Sequence, residues 1–307
     1  MIYQQTWQVR TAKPAMRLRP KKTPSSGALK SWLDATKIDT VVLGDVDRHL
    51  QLKVRDRRTD IIHPSEMARA DWCARATYLR MTGHSAEETP ERLRSMLIFG
   101  EGHDIHHKWQ RWFREMGILF GRWVCLACGR DEMAEIGDIP VRGCPHQVDG
   151  KHLWDYREVP LEDPVRKIAG HSDGLIFPAG KNYLVEIKSV GPGTIRKLVL
   201  APEDTTDEHL STQFGRISHM LGDHYRQLQI YMRLTQSTSR PVKRGLGLYE
   251  NKADQQIKEF AVEYDERSTE DLFAMAADIS WSIDKGRDVL CNQKVGGCAQ
   301  CSRYEVT

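Results

Sequence analysis

Seven cysteines in a chain of 307 residues constrain the fold more than any other feature of the sequence. They fall into three groups: Cys73 alone, then Cys125, Cys128 and Cys144, then Cys291, Cys298 and Cys301 near the end. The total is odd, and the first ten residues contain no apolar segment of the kind that starts a secretory signal. The expectation is therefore a chain without a disulfide framework, in a reducing, cytoplasmic setting. Clustered thiols in such a setting bind metal. The composition, 40% hydrophobic and 28% charged, suits a globular protein with a substantial core and excludes a disordered or collagen-like chain. No run of about 18 apolar residues exists that would span a bilayer.

The middle cysteines carry the most local signal. Trp123-Val124-Cys125-Leu126-Ala127-Cys128-Gly129 reads as a zinc-knuckle-like turn, answered by Gly143-Cys144-Pro145-His146. Cys125, Cys128, Cys144 and His146 make a Cys3His set for tetrahedral zinc, with His152 as the alternative fourth ligand. Such a set is closed, so the expected role is structural. The surrounding stretch, 121–158, has few apolar residues, and a metal accounts for how it folds.

The remainder divides by pattern. Residues 1–30 hold seven basic side chains and no acid, an arm suited to a polyanion or to a solubilising tail. Two short strands are expected within 38–56, around a polar turn. A helix is expected from the Ser65 cap to Met81, and a second over 90–116 with a break near Gly100 and Gly102. Apolar runs at 168–177 and 183–190 flank Pro178-Ala179-Gly180-Lys181-Asn182 and predict a β-hairpin. A helix over 219–236, strands over 242–250 and 257–264, and a helix over 268–286 precede a cysteine-bearing loop.

Chemistry concentrates on the hairpin. Glu186 and Lys188 are two residues apart on a strand, so they share a face, while Ile187 points into the core. Asp173 lies on the partner strand. Two carboxylates held together are costly unless a cation neutralises them, and oxygen donors suit Mg²⁺ or Mn²⁺. Gln227 and Tyr231, four apart on the next helix, share a face as well. His103 lies in the helix before the zinc segment. His103 and His107 are spaced to chelate a metal by themselves, whereas His106 and His107 otherwise read as helix-surface or DNA-facing residues.

The order His103, Asp173, Glu186-x-Lys188, Gln227-x-x-x-Tyr231 resembles the RecB-type branch of the PD-(D/E)XK nuclease superfamily, over roughly residues 62–301. The resemblance implies an α/β fold: a restriction-endonuclease-like core with a central mixed sheet flanked by helices, here with a small zinc-binding insertion. It implies that His103, Asp173, Glu186 and the Ile187 carbonyl hold the catalytic Mg²⁺ or Mn²⁺. Lys188 would act on the attacking water, and Gln227 and Tyr231 would contact DNA or brace the site. A subset of these nucleases, CRISPR-associated and AddB-like, is similar in having one early and three C-terminal cysteines around a 4Fe-4S cluster. Cys73, Cys291, Cys298 and Cys301 match that set, although the Cys-x6-Cys-x2-Cys spacing departs from the usual pattern, and zinc suits the same four thiolates.

The expected function is thus a metal-dependent DNA exonuclease acting on DNA ends or single strands in recombination, repair or phage replication. A structure-specific or CRISPR-adaptation endonuclease is the alternative, and an inactive metal-stapled DNA-binding module is the alternative of another class. The chain has no G-x-x-x-x-G-K-(S/T) loop, so any helicase or recombinase would be a separate partner. The expected organisation is 1–60 basic arm and short strands, 61–120 helical part of the nuclease domain, 121–158 zinc-binding insertion, and 159–307 nuclease core with the cysteine loop.

Overall fold

The computed structural model describes residues 41–53, 57–86, 92–146, 149–191 and 222–304. The basic arm lies outside the described residues. The chain forms two compact units, residues 1–53 and 54–307. In the first, the expected strands are absent from the described part, and Leu43–Gln51 is a helix, α1. Its ends explain this. Asp45 sits in the first turn and Arg48 and His49 in the last, matching the helix dipole, and Asp45 and Arg48 pair at 3.0 Å.

The second unit opens with α2 (Pro64–Met67) and α3 (Ala74–Met81), where one helix was expected. Pro64 starts α2, as its missing N–H permits. The break arises because Cys73 is extended and caps α3, its sulfur accepting from the Ala76 N–H at 3.4 Å. Trp72 Nε1 donates to Thr77 Oγ1, which donates to Glu66, and Arg80 closes the knot on Glu66. The next helix, α4 (Leu93–Glu115), runs unbroken through both glycines. A side chain at Gly102 would meet Ser189 Oγ at 3.0 Å, so this glycine lets the helix approach the sheet.

The strands are β1 (Leu119–Cys125), β2 (Asp131–Glu135), β3 (Trp154–Arg157), β4 (Val159–Asp163), β5 (Ile168–Ser172), β6 (Gly174–Ile176) and β7 (Tyr183–Val190). After them come α5 (Gly222–Thr235), β8 (Arg244–Asn251), β9 (Ile257–Glu263) and α6 (Glu270–Lys285). The main sheet has the order β2-β1-β6-β7-β8-β9, with β3 also on β1. Only β7 and β8 run parallel in it, joined by a crossover through α5, so this is a central mixed sheet flanked by helices. β4 and β5 form a separate two-stranded sheet.

Two apolar cores lie against the main sheet. One contains Leu184 with Leu228, Ile230 and Met232 of α5, and the other contains Val185 and Ile187 with Ile105 and Phe113 of α4. The alternation along β7 therefore assigns each residue to one helix layer or the other. The expected strand over 168–177 is interrupted at one residue, Asp173. Up to Ser172 the chain pairs with β4, and from Gly174 it pairs with β7 and β1. Asp173 thus stands where the chain changes sheets. The stretch 121–158 is no separate lobe, since β1 belongs to the main sheet.

Candidate active site

Gly174 pairs with Val185, so Asp173 is level with Glu186. Glu186 is buried, its side chain 7% exposed. Lys188 Nζ donates to Glu186 Oε1 at 2.7 Å and to Gln227 Oε1 of α5 at 3.0 Å. Burial pushes the Glu186 carboxyl up to about 7; Lys188 pulls against this and the Asp173 charge adds to it. The Lys188 ammonium is lowered by its own burial, but the charge and hydrogen bond of Glu186 outweigh this and hold it above its usual value. Tyr231, one turn beyond Gln227, is buried, which raises its phenol well above the usual range.

Asp173 is fixed on every side. Its Oδ2 accepts from the Ile187 N–H at 2.5 Å, and its carbonyl accepts from Gln110 Nε2 and from the Tyr156 hydroxyl, each at 3.0 Å. Its Oδ1 lies 3.0 Å from Nδ1 of His106. The histidine beside the carboxylates is therefore His106, which the sequence reading left on the helix surface. His103 and His107 are exposed and stand outside this cluster. Burial lowers the His106 imidazole, yet its hydrogen bond and charge attraction to Asp173 leave it raised overall.

Glu158, between β3 and β4, joins the group without having been singled out from the sequence. One donor atom each from His106, Glu158 and Asp173 lie within 4.8 Å of one another. Burial raises Glu158 to about 7, and the Asp173 charge adds to it. Two carboxylates and an imidazole around one point, with Glu186 level with Asp173 on the next strand, form a donor set that a hard divalent cation satisfies. Glu158, Gln110 and Tyr156 had one weak sequence signal: Gln110 follows His106 by four, so both occupy one helix stripe.

The middle cysteines also converge, with one change of partner. Cys125 Sγ lies 3.7 Å from Cys144 Sγ, and Cys128 Sγ lies 3.6 Å from Nδ1 of His152. All four donor atoms fall within 4.8 Å of one another, and His146 is exposed and apart. The structure thus brings the alternative fourth residue, His152, to the sulfurs and leaves His146 away from them. Backbone bonds from Gly143 and Cys144 to the Gly150 carbonyl, and from His152 to Val141, turn the chain back so that His152 returns beside the sulfurs. Gly129 and Gly143, at φ +73° and +105°, make the two turns that follow Cys128 and precede Cys144.

The four distant cysteines meet as well. Cys73 and Cys291 sulfurs are 3.7 Å apart, those of Cys298 and Cys301 3.9 Å, and all four lie within 4.8 Å. A single tetrahedral ion with metal–sulfur bonds of about 2.3 Å sets its thiolates roughly 3.8 Å apart. A cubane binds each thiolate to a different iron corner and spreads them further. Four thiolates suit either group as donors, and the spacing matches the single ion. Asn292 and Gln293 both donate to the Trp72 carbonyl, fastening the terminal loop beside Cys73.

No protein family model matches the chain, and no curated protein matches it. Among solved structures it is similar to the protein SSO0001, at 12% identity and TM-score 0.35, covering 81% of this chain and 88% of that one. It is also similar to the alkaline exonuclease LHK-Exo from Laribacter hongkongensis, at 13% identity and TM-score 0.38, covering 78% and 93%. The same enzyme in complex with dAMP gives 13%, 0.39, 75% and 90%. With TM-scores below 0.5, these likenesses establish neither the fold nor the activity of this chain.

Proposed function

We propose that the chain is a divalent-metal-dependent deoxyribonuclease of the PD-(D/E)XK type, hydrolysing phosphodiester bonds at DNA ends or in single strands, in recombination, repair or phage replication. The observation that carries this reading is the pairing of β6 with β7, which sets Asp173 level with Glu186 and puts Lys188 beside it. Asp173, His106, Glu158 and Glu186 are the residues that would hold Mg²⁺ or Mn²⁺. A divalent cation there would polarise a phosphate oxygen and acidify a bound water.

The chain's own groups supply the rest. Lys188 has three N–H bonds, of which Glu186 and Gln227 take two. Among the described residues the third has no partner, and in this reading it serves the attacking water or a phosphate oxygen, where a fixed donor stabilises developing charge. Gln227 aims the lysine. The Gln110 and Tyr156 donors and the Ile187 N–H keep Asp173 from rotating, so the site needs little reorganisation at the moment of reaction. In this reading 61–120 and 159–307 form the nuclease domain, 121–158 is braced by zinc on Cys125, Cys128, Cys144 and His152, and the four-thiolate centre joins the two ends of the domain.

End-labelled linear DNA, single- and double-stranded, with Mg²⁺ or Mn²⁺, tests the proposal. Wild type is expected to degrade it and Asp173→Ala to leave it intact. Wild-type protein that leaves both strand forms intact with both metals overturns the reading. Cutting of covalently closed circles would instead make the enzyme an endonuclease.

A further inference from the structure

A second polar groove opens where the cysteine loop meets α2 and α3. It encloses about 420 Å³ and is lined by Arg57, Arg69, Arg80 and Arg303, with Glu66 as its one acidic wall residue. The arginines are not equivalent. Arg80 is consumed by Glu66 and by the Thr59 and Ile61 carbonyls, and the fork of Arg69 is closed on both oxygens of Asp71. Arg57 is different. Among the described residues it makes one side-chain hydrogen bond, a long one of 3.5 Å to Ser65 Oγ, and no ion pair. Burial lowers its guanidinium, and the Arg80 charge adds to this against the pull of Glu66. As a residue Arg57 is exposed, in a groove whose one carboxylate, Glu66, is already bonded to Arg80, so its guanidinium fork is open to an anion from outside.

The groove adjoins the candidate active site. A side chain at Gly170 would touch Pro64 of α2 on one side and the Tyr231 hydroxyl on the other, each at about 3 Å. Tyr231 therefore sits beside the start of the helix that carries Ser65 and Glu66. Burial and the charges of Glu186 and Asp173 raise its phenol. A planar guanidinium fork suits phosphate, and arginines lining a groove separated from a phosphodiester-cleaving site by the packed Pro64 and Tyr231 side chains suit a strand that runs past them.

We propose that this groove binds the backbone phosphates of the DNA strand beyond the scissile bond, with Arg57 as the contacting residue and Arg303 lining the same groove. The inference rests on the nuclease reading and adds the path of the substrate to it. The test is binding of a fluorescently labelled DNA strand to the full chain without added divalent metal, followed by anisotropy across a salt series. Losing one phosphate contact on a single strand lowers the log–log salt slope by about 0.7, which is about fourfold in affinity at 0.15 M salt. Arg57→Ala is expected to show both changes, and Arg57→Lys to keep the slope, because the charge is kept. Arg303→Ala should lower the slope as Arg57→Ala does, and it covers the case in which Arg57→Ala fails to fold. Wild-type slopes in the folded alanine variants, with wild type still cutting DNA, overturn the groove and leave the nuclease reading standing. Wild type that neither binds nor cuts DNA overturns both.

Discussion

Replacing Lys188 by methionine keeps the packing of its stem and removes the only cation bonded to Glu186 among the described residues. At 2.7 Å and an effective dielectric of about 20, the attraction between the two charges is about 6 kcal/mol before desolvation is subtracted. Desolvation cancels much of it, but breaking such a pair while the carboxylate stays ionised costs about 3–5 kcal/mol. Glu186 escapes part of that cost by keeping a proton, since burial already raises it to about 7. The effect is therefore pH-dependent, with a definite sign. A carboxyl whose folded-state pKa exceeds its unfolded value stabilises the fold below that range and loses the contribution as pH rises through the folded value. In wild type the loss ends near 7; without Lys188 the folded value climbs and the loss continues upward.

Each further pH unit then costs the variant about 1.4 kcal/mol relative to wild type, or about 2 kcal/mol by pH 8.5. For a unit of this size that is a widening of about 4–8 °C in the melting gap between about pH 6 and pH 8.5. Thermal melts of both proteins, without added divalent metal, measure it directly. Cleavage should fall by about 10²–10³, the usual effect of deleting a positioned donor. A melting gap that stays constant or narrows as pH rises would refute the buried-pair argument.

Four other outcomes follow from the geometry. His106→Ala should reduce cleavage by about 10²-fold or more, as for a lost catalytic group, whereas His103→Ala should stay within a few-fold of wild type; DNA degradation rates decide it. His152→Ala should lose the zinc of the middle cysteine site and His146→Ala should keep it, as read by zinc stoichiometry. Anaerobically purified protein should contain metal that Cys298→Ser removes; zinc without iron or sulfide fits the observed sulfur spacing, and a brown protein with iron and sulfide fits the cluster. Tyr156→Phe should cost about 1 kcal/mol of stability, one hydrogen bond to the Asp173 carbonyl, yet lower kcat more than that loss implies, because Asp173 is freed; denaturant melts beside steady-state rates separate the two.

The sequence made the strand chemistry legible because a strand has only two faces. Once Glu186-x-Lys188 is placed on β7, both side chains must share a face, and the short turn at 178–182 brings Asp173 level with them. The helices over 219–236 and 268–286 and the strands over 242–250 and 257–264 carried their periodicity plainly. What failed at 38–56 was a choice between two local structures with no buried residue to decide it: α1 buries none. Glu158, Tyr156 and, apart from its spacing to His106, Gln110 were hidden for a different reason. Each matters through a contact to Asp173 from a different element, 17 residues away for Tyr156 and 63 for Gln110, and nothing local marks a glutamine that will donate to a distant carbonyl.

The two misplaced histidines share one cause. His103, His106 and Gln110 lie near one stripe of α4, so angular phase alone does not choose between the histidines. What chooses is where along the helix Asp173 meets it. Gln110 and His106 both touch Asp173, while His103, one turn earlier, is exposed with Glu101 and Asp104, although Gly102 beside it packs near Ser189 of β7. Likewise Cys144-Pro145-His146 offers a ligand at the right sequence distance, but the ladder through Gly150 and Val141 turns the chain back, leaving His146 exposed and returning His152 to the sulfurs. Spacing within a motif fixes a ligand only when the backbone between its members has a known shape. Strand alternation supplies that shape for Glu186 and Lys188. For the helix it depends on a crossing point, and for the loop on a hairpin closure, and both are set by contacts outside the motif.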